Sequence, residues 1–145
     1  MIGIIVVGHG TFAKGLESSI NLITGKQDDY ISLDFTEDIS SNKLSANIQV
    51  AIEIFTNKDM GVLVFSDLLG ATPFKCAAEL SVNYKDVKVF AGTNLAMLLE
   101  ATLMRHSLDN IEEFSQTLLI TGAQQVGMFE FEESSDDDSL DSVEI

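Results

Sequence analysis

The chain has 145 residues, of which 46% are hydrophobic, and a formal net charge of −15 at pH 7. This length suits a single domain, and no apolar run approaches the roughly 20 residues that a membrane-spanning helix needs. The acidic charge, without any basic stripe, argues against binding to nucleic acid or to an anionic membrane. The start lacks the basic region of a signal peptide and Cys76 is the only cysteine, so we expect a reducing, cytoplasmic location.

The acidic residues are concentrated near the carboxyl terminus. Eight of the 23 acidic residues lie between Glu130 and Glu144, where serines are frequent and apolar residues are few. Such a segment offers too little apolar surface to offset the entropy lost on ordering it. We therefore expect one domain over residues 1–133, followed by an acidic, flexible tail over residues 134–145.

A short apolar strand that runs into a histidine stands at the start of the chain. Ile4–Val7 contains no polar residue, which is typical of a strand buried on both faces within a parallel sheet. Gly8 and Gly10 then flank His9. Because ligands of open α/β sheets bind at the carboxyl ends of the strands, His9 is the first candidate for a chemical role.

Helices and strands alternate along the rest of the chain. Periodicity and turn residues predict five helices, over Phe12–Thr24, from Ser40 or Ser41 to about Phe55, over Phe74–Leu80, over Leu95–Arg105 and over about Asn110–Gln125. Further strands are predicted over Tyr30–Phe35, Gly61–Ser66, Val87–Ala91 and Val126–Phe131. Thr11, Thr72 and Asp109 are the expected N-caps of the first, third and last helices. The alternation predicts an α/β fold with a doubly wound, parallel sheet and helices on both faces.

The loops after the first and third strands carry groups suited to phosphoryl chemistry. His9 is nucleophilic when neutral, and the carboxylate of Asp67 at the end of the third strand would orient its ring. Backbone N–H groups of two loop segments, helped by helix N-termini, would bind a phosphate. The residues expected at this phosphate site are Gly10, Thr11, Gly70, Ala71 and Thr72.

Other interpretations of the same residues remain open from sequence alone. Gly8–Ala13 also fits the dinucleotide-binding pattern G-x-G-x-x-G/A, and Asp34 lies about where that pattern places a ribose-binding acid. A non-catalytic interaction domain of the same architecture is a third hypothesis. We interpret His106 as a surface residue after a helix, and its separation from His9 argues against a metal site.

Three segments resemble one known family over nearly the whole chain, to about residue 131. Ile4–Ala13, Asp67–Phe74 and Gly92–Glu100 are similar to the enzyme IIA component of the mannose family of the bacterial phosphoenolpyruvate-dependent sugar phosphotransferase system. The resemblance implies that His9 accepts a phosphoryl group from the histidine-containing phosphocarrier protein. It also implies that Asp67 orients His9, that Thr72 lines the phosphate site, and that no cofactor or metal takes part.

The resemblance further implies the partners of the protein. His9 would pass the phosphoryl group to an enzyme IIB, expected as a separate polypeptide, which phosphorylates the sugar during transport through the membrane components IIC and IID. The family also implies a homodimer in which Val126–Phe131 adds a short antiparallel strand to the partner's sheet.

This sequence departs from the usual motif at Ala71, Lys75 and Ala96, where a glycine, an asparagine and a proline are more common in the family. These changes leave the expected chemical residues in place. The phosphotransferase subunit of dihydroxyacetone kinase is a related alternative, but Leu68–Pro73 fits the mannose type better. The sequence does not indicate which sugar is transported.

Overall fold

The computed structural model describes residues 1–106 and 110–133. Its elements in chain order are β1 (Ile2–His9), α1 (Phe12–Thr24), β2 (Tyr30–Phe35), α2 (Ser41–Thr56), β3 (Gly61–Ser66), α3 (Thr72–Ser81), β4 (Val87–Phe90), α4 (Leu95–Met104) and α5 (Ile111–Gln124). The predicted alternation of strands and helices is confirmed as far as α5, with small differences at the ends of elements.

The four strands form one parallel sheet in the order β2-β1-β3-β4. The two strands with continuous apolar runs, β1 and β3, lie in the middle, where both faces are covered by helices. Their pairing places Val7 beside Ser66, so the carboxyl ends of β1 and β3 meet at the same edge of the sheet. This register brings the segments after the two strands together.

Side chains of β1 alternate between two hydrophobic layers. Ile4 and Val6 pack in a layer formed with α1, α4 and α5. Ile5 and Val7 pack in the opposite layer, formed with α2 and α3. All four side chains are completely buried, so the central strand is fixed from both faces. The prediction of helices on both sides of the sheet is therefore confirmed.

The predicted antiparallel strand over Val126–Phe131 is wrong for this single chain: the described residues contain no fifth strand. The side chains of Val126, Met128, Phe129 and Phe131 are exposed by 84%, 82%, 67% and 77%. A strand needs an edge whose N–H and C=O groups it can pair with, and within the chain this segment pairs with neither edge of the sheet. The apolar composition of the segment was not sufficient to make it a strand.

Two predicted N-caps also require correction. The N-cap of α3 is Ala71, in an extended conformation, and Thr72 is the first helical residue; the helix can begin there because Pro73 is tolerated in the first turn. The N-cap of α5 is Asn110, whose side chain accepts a hydrogen bond from the Glu113 N–H at 3.1 Å. Asp109, the predicted cap, lies outside the described residues, as does the predicted tail over residues 134–145.

None of the helices in residues 1–106 and 110–133 is long and apolar enough to cross a membrane.

Candidate active site

His9 and Asp67 meet at the carboxyl edge of the sheet. His9 is the last residue of β1, and Asp67 directly follows β3. The Nδ1 atom of His9 lies 2.7 Å from Oδ2 of Asp67, and the backbone N–H of His9 donates to the same oxygen at 2.8 Å. The contact that the sequence predicted is therefore present, and the carboxylate holds both the ring and the backbone of His9.

Hydrogen bonds keep the carboxylate of Asp67 ionised. Burial acts to raise the pKa of Asp67, but hydrogen bonds from the backbone and ring of His9 and from the Leu68 N–H outweigh this, and the pKa lies below its usual value. An ionised carboxylate can only accept hydrogen bonds, so Nδ1 of His9 carries the proton of the neutral ring. The lone pair of that ring is then on Nε2.

The Nε2 edge of the imidazole is accessible. The side chain of His9 is 46% exposed, whereas that of Asp67 is 11% exposed. The Nε2 atom has no protein partner in the part of the chain that the structure describes. The ring of Phe35 packs edge-on against His9, with centroids 5.7 Å apart. The imidazole is therefore held on one side and open on the other.

Glycines shape the turn around His9. Gly8 has no room for a side chain, because a Cβ atom there would overlap the ring of Phe12. Gly10 has a φ of +59°, and a Cβ atom added there would meet nothing within 4 Å, so it supplies the turn and leaves space above it. Gly70, in the loop after β3, shows the same combination, with a φ of +81°.

The expected phosphate-binding amides are only partly free. The N–H of Gly10 donates to the Phe35 carbonyl at 2.8 Å, and that of Ala71 donates to the Leu68 carbonyl at 3.2 Å. These two N–H groups are engaged in turns and are therefore not available to a phosphate in this conformation. In residues 1–106 and 110–133, the N–H groups of Thr11, Gly70 and Thr72 donate to no protein acceptor.

The hydroxyls of Thr11 and Thr72 are also without a partner among the described residues. Thr11 directly precedes α1, and its side chain makes no capping hydrogen bond. Thr72 is the first residue of α3, and within residues 1–106 and 110–133 its hydroxyl has no hydrogen-bond partner. Among the described residues, the two hydroxyls and the three free N–H groups are the unpaired donors of the loops that follow β1 and β3. Both helices also direct their positive N-terminal ends toward this edge.

The geometry weakens the dinucleotide interpretation. The carboxylate of Asp34, which would bind a ribose, accepts a hydrogen bond from the Lys14 N–H in the first turn of α1 at 3.2 Å. The His9 and Gly10 amides that would contact a pyrophosphate are occupied by Asp67 and Phe35. The backbone donors of this turn are therefore already paired within the protein.

Some residues at the site were not predicted from sequence. Phe35 packs on the imidazole, and Ser66 and Thr93 are buried polar residues that hold the backbone at Asp67. Phe35 was only the last apolar position of a strand. Ser66 is the last residue of β3, and Thr93 lies in the Gly92–Glu100 segment without a feature that singles it out. A polar residue at the end of a buried strand is the one signal that pointed to Ser66.

A half-exposed imidazole, held by a carboxylate, thus lies at the edge of a small doubly wound sheet where ligands bind. This combination suits a small α/β protein that carries out chemistry on a histidine. A family model described as the fructose IIA component of the phosphotransferase system matches residues 3–119. The chain belongs to this mannose, fructose and sorbose family of enzyme IIA components, which are phosphotransferase components acting in sugar uptake.

Individual relatives support this family. The chain is 34% identical over 125 residues to the sorbose-specific EIIA component of Lacticaseibacillus casei, a match that covers 79% of this chain and 89% of that protein. It is 29% identical over 127 residues to the mannose-specific EIIAB component of Escherichia coli K12, covering 86% of this chain and 38% of that protein. The crystal structure of the EIIA component from Streptococcus agalactiae has a TM-score of 0.81 and 35% identity, covering 88% of this chain and 97% of that one.

Proposed function

We propose that His9 is the phosphoryl acceptor of this enzyme IIA component. In this proposal the histidine-containing phosphocarrier protein donates the phosphoryl group to His9. His9 then passes it to an enzyme IIB, which phosphorylates the sugar as it crosses the membrane components IIC and IID. The single observation that carries the proposal is the imidazole whose Nδ1 is bound to Asp67 while its Nε2 edge is open. A nucleophile prepared in this way needs only an in-line approach of the donor.

The transfer step follows from the contacts of the imidazole. The Nε2 lone pair of His9 attacks phosphorus, the bond from phosphorus to the donor nitrogen breaks, and a bond to Nε2 forms. The proton on Nδ1 stays in place, and its hydrogen bond to Asp67 stabilises the positive charge that develops on the ring. In the transfer to enzyme IIB, a nucleophile of enzyme IIB attacks phosphorus, the bond from phosphorus to Nε2 breaks, and His9 is the leaving group.

The phosphoryl oxygens have donors on two sides. The free N–H groups of Thr11, Gly70 and Thr72, together with the two threonine hydroxyls, supply hydrogen bonds to the transferred group. They replace part of the charge stabilisation that a metal ion provides in many phosphoryl transfers. This mechanism uses no cofactor, and its partners place the reaction in the cytoplasm.

We also propose that the protein works as a homodimer. Four large apolar side chains between Val126 and Phe131 are exposed, directly after α5. An apolar groove lined by Ile23, Leu99 and Leu103 reaches Gln125, where this segment begins. Pairing Val126–Phe131 with the sheet of a second copy would satisfy its backbone and bury its side chains.

A comparison of the two histidines tests the acceptor. The chain is incubated with phosphoenolpyruvate and the two general proteins of the phosphotransferase system, and the gain of one phosphoryl group is measured by intact mass. His9→Ala should gain none. His106→Ala is the matched control, because His106 is exposed and comes just after α4, and it should gain as much as the unaltered chain. Phosphorylation of His9→Ala would show that another residue is the acceptor.

A further inference from the structure

The backbone at Asp67 is held by the loop that follows β4. The paired ladder of β3 and β4 ends one residue before Ser66. Beyond it, the Gly92 N–H donates to the Asp67 carbonyl at 2.7 Å. Thr93 donates twice to the Ser66 carbonyl, from its N–H at 3.2 Å and from its hydroxyl at 2.7 Å. Hydrogen bonds from this loop therefore extend the link between the strands as far as the residue that orients His9.

The two hydroxyls in this arrangement are buried and paired. Ser66 is completely buried and Thr93 is 9% exposed. The Ser66 hydroxyl donates to the Phe90 carbonyl at 2.5 Å, so each hydroxyl crosses between β3 and the end of β4. We call Ser66, Gly92 and Thr93 the brace. Because water has little access, these bonds are not readily exchanged for bonds to solvent.

The brace is itself fixed at its far end. The side chain of Asn94 donates to the Gly122 carbonyl in α5 at 2.8 Å and accepts from the Met97 N–H at 3.2 Å. It thus caps α4 and ties the loop to α5 at the same time. The loop is anchored on both sides of Thr93, so it can act as a rigid support for Asp67.

We propose that Ser66 and Thr93 are positioning residues for phosphoryl transfer, which act by fixing the Asp67 carboxylate under His9. The inference rests on the proposed function of His9. One oxygen of Asp67 holds both the Nδ1 and the backbone N–H of His9, so a displacement of Asp67 disturbs the ring and its turn together. Reacting groups lose rate steeply when they are misplaced by a fraction of an ångström.

The test compares matched threonine variants of the full chain. Thr93→Val keeps the shape and removes the hydroxyl, whereas Thr93→Ser keeps the hydroxyl. Thr102→Val is the control for stability, because Thr102 is 1% exposed and its hydroxyl also donates to a backbone carbonyl, that of Leu98 at 2.8 Å, within α4. Ser66→Ala is the second variant, to be used if Thr93→Val does not fold.

Phosphoramidate serves as the donor, because it is small and needs no protein docking. Its P–N bond breaks, a bond from phosphorus to Nε2 forms, and the nitrogen leaves as ammonia. We expect Thr93→Val to slow phosphorylation of His9 about tenfold. Thr93→Ser and Thr102→Val should stay within about twofold of the unaltered chain, even where Thr102→Val lowers the melting temperature as much as Thr93→Val.

A second measurement follows the hydrogen bond between His9 and Asp67 directly and needs no phosphorylation. The proton on Nδ1 of His9 gives an NMR resonance that depends on its bond to Asp67, and it should shift or broaden in Thr93→Val but remain in Thr102→Val. Equal rates and an unchanged resonance in Thr93→Val would overturn the inference, as would a Thr93→Ser variant as slow as Thr93→Val. If the unaltered chain accepts no phosphoryl group, the proposed function fails, while the resonance still tests whether Thr93 positions the pair.

Discussion

At the scale of single residues, one carboxylate oxygen of Asp67 accepts from two donors of His9. The other oxygen accepts from the Leu68 N–H at 2.8 Å. The Asp67 side chain therefore holds the backbone of both loops as well as the imidazole ring. Removing it would free the ring to rotate and would leave the backbone N–H of His9 without its acceptor.

We expect Asp67→Asn to slow phosphorylation on the order of a hundredfold while His9 can still be phosphorylated to completion. The amide cannot stabilise the charged ring as a carboxylate does, but the nucleophile remains. Rates with phosphoramidate, followed to the end by intact mass, check this. A variant that never becomes phosphorylated would show that Asp67 does more than orient His9.

The low pKa of Asp67 also predicts a pH dependence of stability. Its folded pKa lies below the unfolded value of about 3.9, so its stabilising contribution is present above that value and is lost as pH falls through the folded pKa. The difference in free energy of unfolding between the unaltered chain and Asp67→Asn should shrink as the pH falls from 5 toward 3. Urea titrations across this range measure it, and a difference that grows in acid would contradict the prediction.

At the scale of elements, the end of β1 and the start of α1 fit together through Gly8. A Cβ atom at Gly8 would overlap the Phe12 ring, whereas one at Gly15, within α1, would meet nothing within 4 Å. The two glycines therefore have different roles, since the first is required by packing and the second is not. The packing of Phe12 over Gly8 fixes the direction in which the chain leaves His9.

We expect Gly8→Ala to lower the free energy of unfolding by about 1–3 kcal/mol, because Phe12 must move. Gly15→Ala is the matched control and should raise it by up to about 1 kcal/mol, because alanine favours a helix. Thermal and urea unfolding of both variants measure this. If Gly8→Ala is as stable as the unaltered chain, the ring of Phe12 is not held at this turn.

A buried arginine links elements at the opposite edge of the sheet. Arg105 follows α4, is 1% exposed, and donates to the carbonyls of Asp28, Asp29 and Ile2 and to the side chain of Gln27. Burial lowers its pKa, but these acceptors compensate much of the cost of burying the charge. The segment before β2 is thereby held against the start of β1.

At the scale of the whole molecule, exposed apolar side chains gather around the last described segment. We expect the chain to be a dimer at micromolar concentration, and deletion of residues 126–145 to produce monomers. Deletion of residues 134–145 is the matched control, and its acidic composition predicts no change in mass, melting temperature or phosphoryl acceptance. Light scattering distinguishes these cases, and a monomeric unaltered chain would refute the dimer.

The sequence by itself determined the elements as far as α5 and the edge of the sheet at which His9 and Asp67 meet. Local periodicity carries that information: continuous apolar runs identified β1 and β3, and glycines flanking His9 marked a strand end where ligands bind. The parallel topology then brings Asp67 beside His9, so this pair was predictable. The family resemblance agreed with both, since its motifs follow the same strands.

Only the tertiary structure decided which groups around His9 are free and which are engaged. The Gly10 N–H donates to the Phe35 carbonyl, and Thr93, in the loop that follows β4, donates to the carbonyl of Ser66, the residue before Asp67. Such contacts join residues distant in the chain and leave no periodic pattern. The segment after α5 shows the same limit, because a short apolar segment becomes a strand only where the edge of a sheet is available to pair with it.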